Sequence, residues 1–446
     1  MKLFQQISGV FRQKKLQAGF VRGMIHSFII QGISVLLVFA GNYLLIKHFG
    51  ADNYGLYVHI FNWVSILSIL AVGGQEDVVL SRIPKYKALN KSLQIGSIIR
   101  YSNIRIAVTS GLVSLIFLLL INVFNIPTLS AHKSEFLIGV IAIYLSAFLT
   151  LNQMVLQSLN HIRLSQVTEK LVKPFLLIIF ISLTGLLAYP VNARLLLLIV
   201  AFNLILCVIV VAYFVRNKTK EYFQGIKEKY HAGGISKQSL YFLSISLLQL
   251  LTGKIGMLLL PYFTLQQDIG IYNISSRFAD LLIYPFYLLH TVLPQMFAHH
   301  NNSDVTYKQE LFSNSTWILM ITSLPLLLLN VLGGKWLLGY FGHEFVLGYT
   351  ALIYLCLANF LFAVFGPSNT ILMMQGKEKY AALALFINVL TLIILNLFFI
   401  PAMGISGAAL AVLISNFIYS ILLAALTWHH TGVMSPFFLY FKPKTK

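Results

Sequence analysis

Three ionisable residues, Lys254, Arg277 and Asp280, stand inside long apolar runs. A charge near the centre of a bilayer is costly, so it faces a partner or a wet cavity. Lys254 lies near the middle of its run, too far from either end to snorkel easily. Arg277 and Asp280 are three residues apart, on one face of a helix, and His290 lies deeper along the same run. Two readings follow. In the first, Asp280 forms an internal ion pair with Arg277 or Lys254. In the second, the cations line a cavity for an anionic group. The two coexist, because one carboxylate neutralises only one of two cations.

Other polar residues are weaker candidates. Glu76 and Asp77 fall near the cytoplasmic end of the second apolar run. They are neutralised at the interface by Arg82 or Lys85, or else, with Asp280, are candidates for coupling to a proton or cation. Asn42 either lines a cavity or makes an interhelical hydrogen bond. Lys47, Arg105 and Lys173 lie at run edges and are expected to snorkel. His26, His48 and His161 are scattered, without metal-ligand spacing, and no cofactor or metal is expected. Cys207 and Cys356 lie inside apolar runs and read as packing residues.

These side chains must be positioned by helices in lipid. Apolar residues make up 58% of the 446-residue chain and charged residues 10%, with a mean hydropathy of +0.81. A soluble domain carries roughly a quarter charged residues. About 20 apolar residues are needed to cross the hydrocarbon core, and runs this long imply helices rather than barrel strands. We read twelve spans, at 24–46, 55–80, 106–124, 136–158, 174–189, 195–215, 239–263, 270–297, 311–332, 346–373, 380–400 and 404–427.

The loops between the spans alternate between Lys/Arg-rich and Lys/Arg-poor. Of 32 Lys and Arg, 26 fall on the termini and the even-numbered loops. The opposite side holds only Lys47, Lys133, Arg194 and Lys335, and Lys254 and Arg277 remain inside spans. The positive-inside rule then places both termini in the cytoplasm, and an odd number of spans would break the pattern. The formal net charge of +19 reflects cations at the anionic inner leaflet rather than a nucleic-acid surface.

Residues 1–22 do not read as a cleavable signal. Leu3, Phe4, Ile7, Val10 and Phe11 recur beside cations, which suggests an amphipathic helix on the cytoplasmic surface. The expected organisation is that segment, a six-helix lobe over 23–215, a basic cytoplasmic linker over 216–238, a second six-helix lobe over 239–427 and a cytoplasmic tail over 428–446. The halves repeat. Gly55-x-Tyr57 recurs as Gly270-x-Tyr272, each just after a short outer loop and six spans apart. An even separation gives both halves the same orientation, a plan used by alternating-access transporters.

A family resemblance rests on specific strings. They are Phe49-Gly50 followed by Tyr54-Gly55-x-Tyr57, then Gly73-Gly74 with Arg82-Ile83-Pro84-Lys85-Tyr86. Later come Gln375-Gly376-Lys377, Asn388 and Asn396, and Pro401-Ala402-Met403-Gly404-Ile405-Ser406-Gly407-Ala408-Ala409. In these the chain resembles the Wzx-type polysaccharide repeat-unit flippases of the multidrug/oligosaccharidyl-lipid/polysaccharide (MOP) exporter superfamily. The resemblance implies two six-helix lobes around a central cavity in a bacterial cytoplasmic (inner) membrane. It implies transfer of an undecaprenyl-pyrophosphate-linked oligosaccharide from the inner to the outer leaflet for O antigen, capsule or exopolysaccharide. The partners expected are that glycan, membrane lipids, and a polysaccharide polymerase with its chain-length regulator. Lys254, Arg277, Asp280, His290 and Asn42 are the substrate-binding candidates.

Three alternatives stay open. A cation-coupled multidrug exporter of the same fold needs acids in its lobes, yet the first span has none and the seventh carries Lys254. The related lipid II flippases usually have more spans. A membrane-embedded glycosyltransferase or polymerase needs a large outer loop with catalytic motifs. The outer loops here are short, and neither a Walker loop nor a metal cluster is present in the sequence, so no enzymatic activity is expected.

Overall fold

The computed structural model describes residues 16–123, 131–186, 192–223, 235–287, 289–290, 293 and 305–436. Most of the expected amphipathic segment, the middle of the linker and the end of the tail lie outside these. The described residues form an all-helical, membrane-type fold. In chain order the helices are α1 (Leu16–Val72), α2 (Gln75–Ala88), α3 (Ser92–Val123) and α4 (Lys133–Ser158). Next, α5 (Ile162–Val167) runs through a π-helical turn (Thr168–Val172) into α6 (Lys173–Leu186), followed by α7 (Ala193–Thr219). Then come α8 (Ile235–Leu259), α9 (Gln266–Asp280) and α10 (Val305–Gly339). The last are α11 (Tyr349–Phe365), α12 (Pro367–Met374) and α13 (Glu378–Thr431).

Eight stretches of these are long and apolar enough to cross a membrane. The number is below twelve partly because α1 and α13 each hold two expected spans. Their breaks are single glycines, Gly50 (φ 78°, ψ 167°) and Gly404 (φ 56°, ψ −130°). Positive φ costs an L side chain a clash that glycine avoids. The turn before the last span is therefore one residue wide. Just after it, a Cβ on Gly407 would lie 2.1 Å from the Phe399 carbonyl oxygen, so the tight return leaves no room for a side chain. Ala408, Ala409 and Ala411 on the same segment are fully buried, as close helix approach in lipid requires.

The second span differs from expectation. It ends at Val72, not at residue 80, because Gly73 and Gly74 both take the left-handed conformation (φ 60° and 71°). Glu76 and Asp77 thus open a new helix, α2, where their charge complements the positive end of the helix dipole.

The chain divides into two compact units, Met24–Leu251 and one built on Thr252–Lys446. The first packs around one continuous core, in which Ile60, Val79, Ile98, Leu151 and Leu204 come from five helices. The second has smaller clusters among its described residues, such as Leu372, Ala384 and Leu423. Large apolar side chains also cover the outside; Leu332 is 84% and Leu186 82% exposed. In water such coverage would aggregate, whereas in lipid it costs nothing.

Contacts within the first unit match the alternation of charge. Arg194, opening α7, lies 3.8 Å from Glu135 and donates to Ser134 at 2.9 Å, both at the start of α4. At the other ends of α4 and α7, His161 and Lys218 line one cleft together with Lys87 of α2. Lys/Arg-poor loops thus meet at one end and Lys/Arg-rich loops at the other.

Candidate functional site

Lys254, Arg277 and Asp280 come together in the second unit. Lys254 is carried by α8, and Arg277 and Asp280 by the last turn of α9. Lys254 lies within electrostatic range of both. Lys254 and Asp280 are half-buried and Arg277 is exposed. The sequence predicts nothing about the third wall, which is α11. There the Asn359 amide donates to Asp280 Oδ1 at 3.3 Å. Cys356, one turn earlier, is also within range of the carboxylate and is a buried, free thiol. A lone amide in the apolar run Cys356-Leu357-Ala358-Asn359-Phe360 was the available signal.

A second polar layer lies two residues along from Lys254. Built on Gly256, a Cβ would lie 3.3 Å from the Tyr272 hydroxyl and 3.5 Å from Asn396 Oδ1. Gly256 therefore lets α9 and α13 approach α8 with polar groups facing it. The Asn396 amide donates to Leu392 O at 2.7 Å, but its buried Oδ1 has no protein partner. A buried acceptor left unmade is costly, so this layer retains capacity for a donor. Asn388, the other asparagine of that run, is spent on packing: it accepts a hydrogen bond from the Ser415 hydroxyl.

Among the described residues, the ring of His290 packs on Phe286 with centroids 5.5 Å apart, and the hydrogen bond between Asn359 and Asp280 does not include it. Asn42 lies in the other unit and accepts a hydrogen bond from the Tyr54 hydroxyl at 3.0 Å, across the Gly50 break. Glu76 and Asp77 are also in that unit. Arg82, one of the cations expected to neutralise them, donates to Gln238 Oε1 at 3.1 and 3.3 Å. Glu76 Oε2 and Arg105 Nη1 are buried without a hydrogen-bond partner, so Arg105 is not simply a snorkelling edge residue.

Electrostatically, the cluster holds two cations and one carboxylate, one of whose oxygens is engaged by Asn359. It can attract an anion, and it can hold a proton or cation only in competition with Lys254 and Arg277.

Comparison of the whole fold with solved structures places it. A multidrug-resistance MATE transporter of the MOP superfamily in an inward-facing conformation matches with a TM-score of 0.69 at 12% identity, covering 90% of this chain and 97% of that one. The lipid II flippase MurJ, inward closed, matches at 0.68 with 16% identity, over 90% of this chain and 87% of that one. The fold is that of the MOP superfamily. A further MOP transporter, from Pyrococcus furiosus and described as having a binding pocket of reverse polarity, matches at 0.58 with 14% identity over 92% and 94%. No protein-family model and no curated protein matches the sequence.

Proposed function

We propose that this chain is a flippase of the MOP fold. It moves an undecaprenyl-pyrophosphate-linked oligosaccharide from the cytoplasmic to the outer leaflet of a bacterial inner membrane, by alternating access of two six-helix lobes joined by the linker 216–238. The observation that carries this reading is the placement of Lys254 beside Arg277 and Asp280, with Asn359 already occupying one carboxylate oxygen. The local balance is one positive charge. A pyrophosphate headgroup is anionic, and a fixed cation offsets part of the cost of taking it through lipid. Lys acts as a point charge and Arg as a bidentate donor, so both serve a diphosphate.

The lipid II flippase named above shares the fold, which supports a lipid-linked substrate as within the reach of this architecture. Glu76, one of whose carboxylate oxygens is buried without a hydrogen-bond partner, is the best of the three coupling candidates. A cation-coupled drug exporter is disfavoured because the acid of the cluster, Asp280, lies within electrostatic range of two cations.

The test is restoration of surface polysaccharide in a transporter-null strain, normalised to protein in the membrane. Lys254→Arg should retain most activity, and Lys254→Ala or Lys254→Glu should lose most of it at normal abundance. Full activity of Lys254→Glu would overturn the reading and leave Lys254 as an ion-pair partner.

A further inference from the structure

The first unit contains a cleft of about 440 Å³ at its Lys/Arg-rich end, apart from the cluster just described. Three segments distant in sequence build it. Lys87 comes from the end of α2, His161 from the turn after α4, and Lys218 and Lys220 from the end of α7 and the 3-10 turn that follows. Lys87 Nζ donates to the Leu159 carbonyl at 3.5 Å, and both residues line the cleft. The acid of the cleft is Glu221, with the Tyr222 phenol beside it.

We propose that this cleft binds a phosphate group, that of an anionic phospholipid headgroup in the inner leaflet or a soluble phosphate. Three lysines and a histidine face one carboxylate, so the cleft is cationic on balance. The positive-inside rule puts this Lys/Arg-rich end toward the inner headgroup layer, and basic pockets between membrane helices on that side suit anionic headgroups. Lysines suit the task, since each ammonium donates to phosphate oxygens without demanding a fixed geometry. Asn217 adds a neutral donor.

His161 reports the field. Partial burial, then the charges of Lys218 and Lys87, hold its pKa below the ordinary histidine value. A bound phosphate would cancel the lysine contribution and raise it. Glu221 and Tyr222 are the other titratable groups facing the cleft, and Glu221 acts in the same direction as the anion but is present in both states.

The experiment uses the full chain in phosphatidylcholine nanodiscs doped with phosphatidylglycerol, with retained lipid counted by native mass spectrometry. Lys87→Gln/Lys218→Gln should retain roughly tenfold less phosphatidylglycerol than the unmodified chain. Lys91→Gln/Arg100→Gln removes the same charge from exposed positions outside the cleft and should retain it normally. In undoped discs, histidine NMR of His161 with added inorganic phosphate tests the soluble source. A rise in its pKa with phosphate, absent in the cleft variant, would support the phosphate site and assign it a soluble ligand. Equal loss in both double variants, or no difference from the unmodified chain in either arm, would overturn the proposal.

Discussion

The Asn359 amide donates to the Asp280 carboxylate across 3.3 Å, tying α11 to the last turn of α9. One oxygen of the only acid in the cluster is therefore spoken for by a neutral donor. If Asp280 served merely to neutralise Lys254, removing both charges would be tolerated. We expect the opposite: Lys254→Ala/Asp280→Asn remains as deficient in surface polysaccharide as Lys254→Ala alone. Recovery in the double variant would make the pair structural.

Asn359→Leu should cost stability rather than charge. The carboxylate loses a donor in a half-buried setting, worth about 1–3 kcal/mol. Thermal unfolding in detergent should shift down, and Asn359→Gln, which keeps an amide, should recover part of the loss.

Arg277→Ala should reduce transport less than Lys254→Ala does. Arg277 is exposed and three residues from Asp280 on the same helix, where part of its charge is already offset. Dose-response of polysaccharide restoration against protein level separates the two; a larger loss for Arg277→Ala would shift the binding role from α8 to α9.

Orientation follows from the charge pattern and from the two ends of the first unit. Reporter fusions near Lys227 should read cytoplasm, and those near Asp268 or His343 the outer side. Cysteines at Lys87 and Lys218 should be shielded from an impermeant thiol reagent added outside, while cysteines at Lys133 and Arg194 should be labelled. Labelling of position 218 from outside would invert the topology.

Gly407→Ala should destabilise the protein by about 1–3 kcal/mol, the usual range for overpacking, because the new methyl meets the Phe399 carbonyl. Gly333→Ala, with nothing within 4 Å of its Cβ position, is the helical control and should raise the thermal unfolding temperature slightly, because alanine is the better helix former.

Lys218→Gln should raise the His161 pKa toward its ordinary value, because removing a nearby cation favours the protonated ring. Histidine NMR, assigned with His161→Gln, reads this directly. An unchanged pKa would show that Lys218 does not face His161.

Much of the architecture is legible in the sequence. The apolar runs and the Lys/Arg alternation predicted membrane helices with a consistent sense, and the structure places the alternate loops of the first unit at opposite ends. The boundary of the second span was misjudged because Val78, Val79 and Leu80 continue the apolar pattern beyond Gly73-Gly74. Hydropathy does not register a left-handed backbone. The cationic cluster was half legible: spacing along one helix gave Arg277 with Asp280, but Asn359 joins from 79 residues away.

The sequence alone determined which segments enter lipid, which ends carry the positive charge, and that Lys254, Arg277 and Asp280 are charges in an apolar setting. These follow from transfer free energies, which belong to each residue and its near neighbours. Only the tertiary structure decided that Asn359 holds Asp280, that Tyr272 and Asn396 face Gly256, and that Lys87, His161 and Lys218 share one cleft. Those relations depend on distances between helices, and a hydrogen bond or a Coulomb field reads separation in space rather than along the chain.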